Sequence, residues 1–257
     1  MSLDFDSARL PNKNLTPEHH EWRAQLRRFI DREIMPYAED WDESGSIPQE
    51  LWPKAAEVGL LGMGYPEEFG GVTEGIDLWH GIIVNEEMAR VAVGGVAATL
   101  LVHGIGLPPV INFGSDAIKQ MVAPPVLAGT KRISLAITEP GGGSDVAQLQ
   151  TTARRDGDHY VVNGSKTYIT GGMNANWFTT AVRTGGEGSG GVSTLLIPAD
   201  AEGVSRTALD RKQGWWCSDT ATIYFDNVSV PVGNLLGQEN KGFAVIMNNF
   251  NSCLLYT

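Results

Sequence analysis

Near residue 131 the chain changes texture, and that change limits the folds open to it more than any other feature. Before it, apolar residues recur at helical spacing, with Trp22, Leu26, Phe29, Ile30, Tyr37 and Trp41 on one broad face. Thr16-Pro17-Glu18 reads as the start signal: a hydroxyl that can cap, a proline suited to the first helical position and an acid that favours the helix dipole. Pro36 is expected to kink this helix or divide it. Further helices are expected over 48–58, 76–91, 96–113 and 115–127, with glycine-bearing connections at Gly59, Gly70, Gly71, Gly94 and Gly114.

After residue 131 the period falls to two. Short β-rich runs cover 151–155, 159–162, 166–170, 178–183, 192–197, 204–208 and 222–225. Asp156-Gly157 and Asn163-Gly164 both accept positive φ, so each is expected to close a hairpin. The run from Gly185 to Gly191 is too glycine-rich to be expected in one shape. A helical pattern resumes at Gly242 and stops at Thr257 without a cap, so the chain is expected to be incomplete. The fold class is therefore α+β: an all-helical amino-terminal domain over 1–130, a β-barrel or sandwich over 131–232, and a cut-off helix over 233–257.

The charge balance is 19 basic against 30 acidic residues, net −11 over 257 residues, which weighs against nucleic acid as the main partner. The apolar stretches at 94–102 and 104–111 are broken by His103, Pro108 and Pro109, short of the ~20 apolar residues of a spanning helix. No targeting leader is visible, and two cysteines, Cys217 and Cys253, make neither a disulfide framework nor a four-ligand zinc site; a reducing, cytoplasmic setting is expected.

The sharpest local feature is Ile137-Thr138-Glu139-Pro140-Gly141-Gly142-Gly143-Ser144-Asp145, directly after an expected strand. Its glycines let a ligand approach the backbone and its hydroxyls can hydrogen-bond, yet its spacing matches neither common nucleotide fingerprint; by itself it is a ligand loop or a structural turn. The histidines His19, His20, His80, His103 and His159 are scattered and expected to hold no metal. Cys217 has no basic neighbour and is expected to be buried and inert. The pairs Glu86-Glu87 and Glu67-Glu68 are most simply solvated, since adjacent helical side chains diverge by roughly 100°. Tyr168, at a strand end, is by itself a core residue.

Taken in order, the segments 136–145, Asn163-Gly164-Ser165-Lys166-Thr167-Tyr168-Ile169-Thr170, Ser218-Asp219-Thr220, Val230-Pro231 and Gly242-Phe243 resemble the successive motifs of the acyl-CoA dehydrogenases, and Pro66-Glu67-Glu68-Phe69-Gly70-Gly71 matches their amino-terminal part. The resemblance implies an oxidoreductase of fatty-acid metabolism in three parts, with FAD lying between the middle and carboxy-terminal domains. It implies that Leu135, Ile137, Thr138, Gly143 and Ser144 line the flavin on one side and that Tyr168, Ile169 and Thr170 pack on it from another strand. Ser144 and Asn251 are the implied substrate contacts.

The family reaction is α,β-dehydrogenation of an acyl-CoA to a 2,3-enoyl-CoA, with electron-transfer flavoprotein as acceptor and a dimer or tetramer as the assembly. In most members the base glutamate comes from the carboxy-terminal domain. In a minority it opens a Glu-Arg pair in the helix that starts near Gly242, and here that pair aligns with Cys253 and Leu254, so no catalytic base is assigned. Other roles on the same scaffold are a non-catalytic flavin or acyl-CoA module, an assembly subunit, an acyl-CoA oxidase or a flavin monooxygenase.

Overall fold

The computed structural model describes residues 11–210 and 212–254, the last four by backbone alone. Two compact units emerge, and they do not follow chain order. Among the described residues, one holds 11–101 together with 127–130 and 212–218; the other holds 102–126, 131–210 and 219–254.

The first unit is helical. Its α1 (Pro17–Glu33) starts where expected, but the cap is fuller than Thr16 alone: the Thr16 hydroxyl accepts from the His19 N–H, and His19 Nδ1 accepts from the Thr16 N–H at 3.0 Å. Pro36 divides the helix, and α2 (Ala38–Ser44) follows, ending on Gly45 at φ 74°. The unit is completed by α3 (Leu51–Glu57), α4 (Leu78–Ala89) and α5 (Gly94–Leu100). Leu26, Phe29, Ile30, Ile34, Trp52, Leu61, Val96 and Leu100 form its core, each worth about 1.5–3 kcal/mol by burial. The returning segment 212–218 adds Cys217 to that core and lays Trp215 against α5; a Cβ on Gly94 would meet the Trp215 indole at 2.7 Å.

Glu87 corrects the solvated reading of the Glu86-Glu87 pair. It is fully buried, taking Arg27 in a two-pronged contact at 2.8 and 2.9 Å, Arg23 at 3.0 Å and Arg90 at 3.4 Å. Adjacent helical positions diverge, so Glu87 faces α1 while its neighbour keeps 39% exposure.

The second unit opens with α6 (His103–Gly106), α7 (Pro108–Phe113) and α8 (Asp116–Leu127). The single helix expected over 96–113 is thus three pieces, because Gly104 and Gly106 weaken it and Pro108-Pro109 cannot continue its hydrogen bonding. Among the described residues seven strands follow: β1 (Ile133–Ala136), β2 (Thr152–Asp156), β3 (His159–Thr170), β4 (Trp177–Arg183), β5 (Val192–Pro198), β6 (Val204–Ala208) and β7 (Thr220–Pro231). They form one curled mixed sheet, a half-barrel, in the order β1-β4-β2-β3-β7-β6, with β5 also paired to β4. The molecule is α+β.

Tyr160, Phe178, Leu195, Ile197, Phe225 and Val230 fill the concave core. Helix α9 (Gly242–Leu254) closes on β5, where a Cβ on Gly242 would lie 2.3 Å from the Ser193 carbonyl carbon. Among the described residues no single helix is long and apolar enough to cross a membrane.

Two turn expectations part ways. Asp156-Gly157 does close the β2–β3 hairpin, with Gly157 at φ 63°. Asn163-Gly164 does not turn: β3 runs straight through it, and the dipeptide makes a bulge against β7 between Val162 and Gly164. Gly164 sits at φ 143° under Thr151, whose Cα a Cβ would approach to 2.7 Å, so close packing rather than a turn explains the glycine. The 185–191 loop is also more defined than its composition implied. Arg183 Nη1 donates to the carbonyls of Gly186 (2.5 Å) and Gly188 (3.2 Å), and the Gly185 N–H donates to the Gly191 carbonyl.

Candidate functional site

The loop after β1 is shaped by its backbone. Glu139 and Gly142 exchange two hydrogen bonds at 3.0 and 3.1 Å, closing a tight turn over Pro140-Gly141, and the Thr138 carbonyl accepts from the Thr167 N–H of β3 at 2.8 Å. A Cβ on Gly143 would press on Thr138 Cγ2 at 3.0 Å, whereas one on Gly141 or Gly142 would meet nothing within 4 Å. The loop therefore closes on itself at Gly143 and presents open backbone at its tip.

Facing it, β3 breaks alternation. Its register against β7 shifts between Lys166 and Ile169, so Lys166 and Thr167 are both buried and Tyr168 is thrown outward at φ 57° with 64% exposure. The core reading of Tyr168 is thereby corrected. A tyrosine in the left-handed region is strained by about 1–2 kcal/mol, which the surrounding sheet imposes.

Between these two walls lies a cavity of roughly 190 Å³. Leu135, Ile137, Thr138 and Gly143 line one side; Tyr168, Ile169 and Thr170 line the other. Ser144 is exposed on the loop and does not line it. Three lining residues escaped the sequence reading: Ile105, Val146 and Phe250. Phe250 had a signal, since Phe243, Ile246, Met247 and Phe250 repeat at helical spacing along α9. Asn251 and Cys253 fall on the backbone of α9, and their side chains lie outside the described residues.

The walls are mostly apolar, with the hydroxyls of two threonines, Thr138 and Thr170, among the lining groups. Such a lining suits the edge of a planar heterocycle. Its volume is below the roughly 300–1,000 Å³ of a complete small-molecule site, so it fits part of a large cofactor.

Directly behind the loop Lys166 is completely buried, and its Nζ donates to Glu139 Oε1 at 2.7 Å and to the Ile137 carbonyl at 3.0 Å. Glu139 in turn accepts from the N–H groups of Gln150 (2.5 Å) and Thr151 (2.9 Å). Burial pulls the Lys166 ammonium down to about 8, with Glu139 opposing. Burial alone would raise the Glu139 carboxyl; the Lys166 charge and these donors outweigh it and hold the group below the usual carboxylate range.

In the helical unit, the structure brings together two histidines that the sequence reading scattered. His19 Nε2 and His80 Nδ1 each lie 2.9 Å from Asp77 Oδ1, with ring centroids 4.5 Å apart. These three groups are close enough to hold a metal ion, yet each imidazole already belongs to a capping box, His19 with Thr16 and His80 with Asp77. The His80 hydrogen bond, assisted by His19 against some desolvation, pulls the Asp77 carboxyl down to about 2. Cys217, buried and hydrogen-bonded to Asp42, has its thiol pushed up to about 12, which fits an inert core residue.

An all-helical unit joined to a curled half-barrel with a glycine-rich loop beside a strand bulge defines a two-unit α+β protein. The chain belongs to the acyl-CoA dehydrogenase family: the descriptions of its N-terminal domain and its middle domain match residues 16–130 and 134–228. Acyl-CoA dehydrogenase AFT10-1 of Alternaria alternata is 37% identical over 95% of this chain and 59% of its own length. A crystal structure of a probable acyl-CoA dehydrogenase from Mycobacterium abscessus is 48% identical, with TM-score 0.88 over 92% of this chain and 63% of that one. Another, an acyl-CoA dehydrogenase complexed with FAD from Bacillus anthracis, is 34% identical with TM-score 0.85 over 94% of this chain and 42% of its own. The chain thus spans about three fifths of the length of the curated relative.

Proposed function

We propose that the whole protein is a flavin-dependent dehydrogenase that converts an acyl-CoA thioester to the 2,3-enoyl-CoA, and that the cavity between loop 137–143 and the β3 bulge is this chain's share of the FAD site. The observation that carries the proposal is the convergence of Leu135, Ile137, Thr138, Gly143, Tyr168, Ile169 and Thr170 on one cavity, from two segments separated in sequence and matched by the family. Bound there, FAD supplies the two-electron acceptor for the hydride that leaves the acyl β-carbon.

The chain's own residues have separable parts to play. Leu135, Ile137 and Ile169 exclude water, which strengthens every polar contact in the cavity. The Thr138 and Thr170 hydroxyls offer hydrogen-bond donors on the cavity wall, placed where they can stabilise charge on a bound ligand. Tyr168 offers an exposed ring as a cover. Ser144 and Asn251 are proposed as substrate contacts.

The proposal assigns no base to this chain, because the position aligned with the minority base is Cys253, and a thiol replaces a carboxylate base poorly. Electron-transfer flavoprotein is the proposed acceptor, and a homo-oligomer of two or four chains the proposed assembly.

The test is titration of the protein with FAD, followed by flavin fluorescence. Thr138→Val is expected to weaken binding roughly tenfold, the loss of one buried hydrogen bond. An unchanged titration would remove Thr138 from the site. In the full-length protein, anaerobic bleaching of the flavin by acyl-CoA is the expected result. Bound flavin that never bleaches would favour a non-catalytic module, and fast reoxidation by oxygen would favour an oxidase.

A further inference from the structure

We propose that the buried Lys166–Glu139 pair is the positioning element of the flavin-facing wall: a strut that fixes where Ile137 and Thr138 stand against Tyr168 and so sets how tightly flavin is held. This rests on the flavin reading given above.

Glu139 directly follows Thr138 on one wall of the cavity, and Lys166 precedes Tyr168 by two residues on the other. The ammonium donates to Glu139 and to the carbonyl of Ile137, so one side chain holds both the loop and the residue that lines the cavity. On its far side the carboxylate takes the N–H groups of Gln150 and Thr151, which anchor the chain as it enters β2. The Thr167 N–H, one residue from Lys166, adds its bond to the Thr138 carbonyl. The return of the loop is pinned separately, since Arg183 donates to the carbonyls of Ala147 and Leu149.

The energetics favour position over stability as the role. An ion pair taken out of water regains in attraction little more than it loses in hydration, and apolar residues of equal volume hold a core as well or better. The half-barrel already has an extensive apolar core. A directional link is what apolar packing cannot supply, and it sits where the chain between β1 and β2 has no ladder of its own. Lys166 and Glu139 touch no ligand in this scheme; they act through Ile137 and Thr138.

The experiment compares the full-length protein with its Lys166→Met variant and, as a milder variant of unchanged size, Glu139→Gln. Three readouts are taken: amide hydrogen exchange, FAD titration and the visible spectrum of bound flavin. The strut predicts that Lys166→Met speeds exchange across 137–151 while β4 and β5 keep their protection. It predicts FAD affinity roughly 10–100-fold lower, by analogy with the loss of groups that orient metal ligands, and a changed band shape for whatever flavin remains bound. Glu139→Gln should move all three in the same direction by less.

Faster loop exchange with affinity within twofold of the parent would overturn the proposal. So would loss of protection across the whole sheet in both variants, because the pair would then hold the domain rather than the wall. A full-length protein that binds no FAD would refute the flavin reading itself; unchanged exchange at 137–151 in the variants would, independently, refute the strut.

Discussion

The helical unit and the half-barrel both bury charge, for different ends. In the helical unit Glu87 is surrounded by Arg23, Arg27 and Arg90, and the His19-Asp77-His80 cluster lies between the starts of α1 and α4. Both sets join the same two helices over a long span of sequence. In the half-barrel the strand ladders already connect the elements, and the one ion pair buried on both sides among the described residues, Lys166–Glu139, stands behind the wall of a cavity. Short helices have no ladder between them, so directional side-chain links must set their angle and register. A sheet gets register from its backbone, which frees a buried pair to shape a loop.

Glu87 is the most sensitive of these buried charges. Replacing it by alanine leaves three arginines facing an empty, desolvated position, and a cost of about 3–5 kcal/mol is expected. Urea unfolding followed by the tryptophans of the helical unit should show it, with amide exchange of the sheet unaffected. A loss below about 1 kcal/mol would place Glu87 in the class of surface pairs and erase the contrast.

A smaller effect of opposite sign is expected in the half-barrel. Tyr168→Gly removes the strain of φ 57° but adds chain entropy, for a net gain of roughly 0.5 kcal/mol, while taking away one wall of the cavity. Thermal unfolding should rise slightly and FAD affinity fall. Stability and affinity moving together would mean that the bulge serves the sheet and not the cavity.

The smallest effect concerns pH. The Asp77 carboxyl is held at about 2 in the folded chain, below its ordinary value. Its contribution to stability is therefore complete above the unfolded value near 4 and is lost as pH falls from there through about 2. Asp77→Asn should flatten that acid limb of the stability curve and leave the neutral region nearly unchanged. An unaltered limb would show that the histidine links do not couple α1 to α4.

Much of the fold was legible because its signals are local. Thr16 with Pro17 starts α1, Pro36 divides the helix, and Asp156-Gly157 turns the first hairpin, since each depends on backbone geometry within a few residues. The candidate site was reached by a different route. Leu135, Ile137, Thr138, Gly143, Ser144, Tyr168, Ile169 and Thr170 were singled out by resemblance; seven of these eight line one cavity, and Ser144 stands outside it. Reasoning from the residues alone left the loop undecided and put Tyr168 in the core. A strand bulge reverses alternation without any marker in its own residues, so an alternating pattern assigns the wrong face.

Local signals in the chain were enough to set where helices give way to strands, the α+β class, and the glycine-rich loop with its hydroxyls, because period, caps and turn residues act through neighbours. The folded molecule was needed to show that Asn163-Gly164 bulges instead of turning, that Glu87 is buried among arginines, that His19 and His80 share Asp77, and that Lys166 reaches across to Glu139. Each of those outcomes depends on a partner 27 to 64 residues away, from the 27 between Lys166 and Glu139 to the 64 between Arg23 and Glu87 or between Asn163 and Asn227, and nothing in a local window states which distant group will arrive.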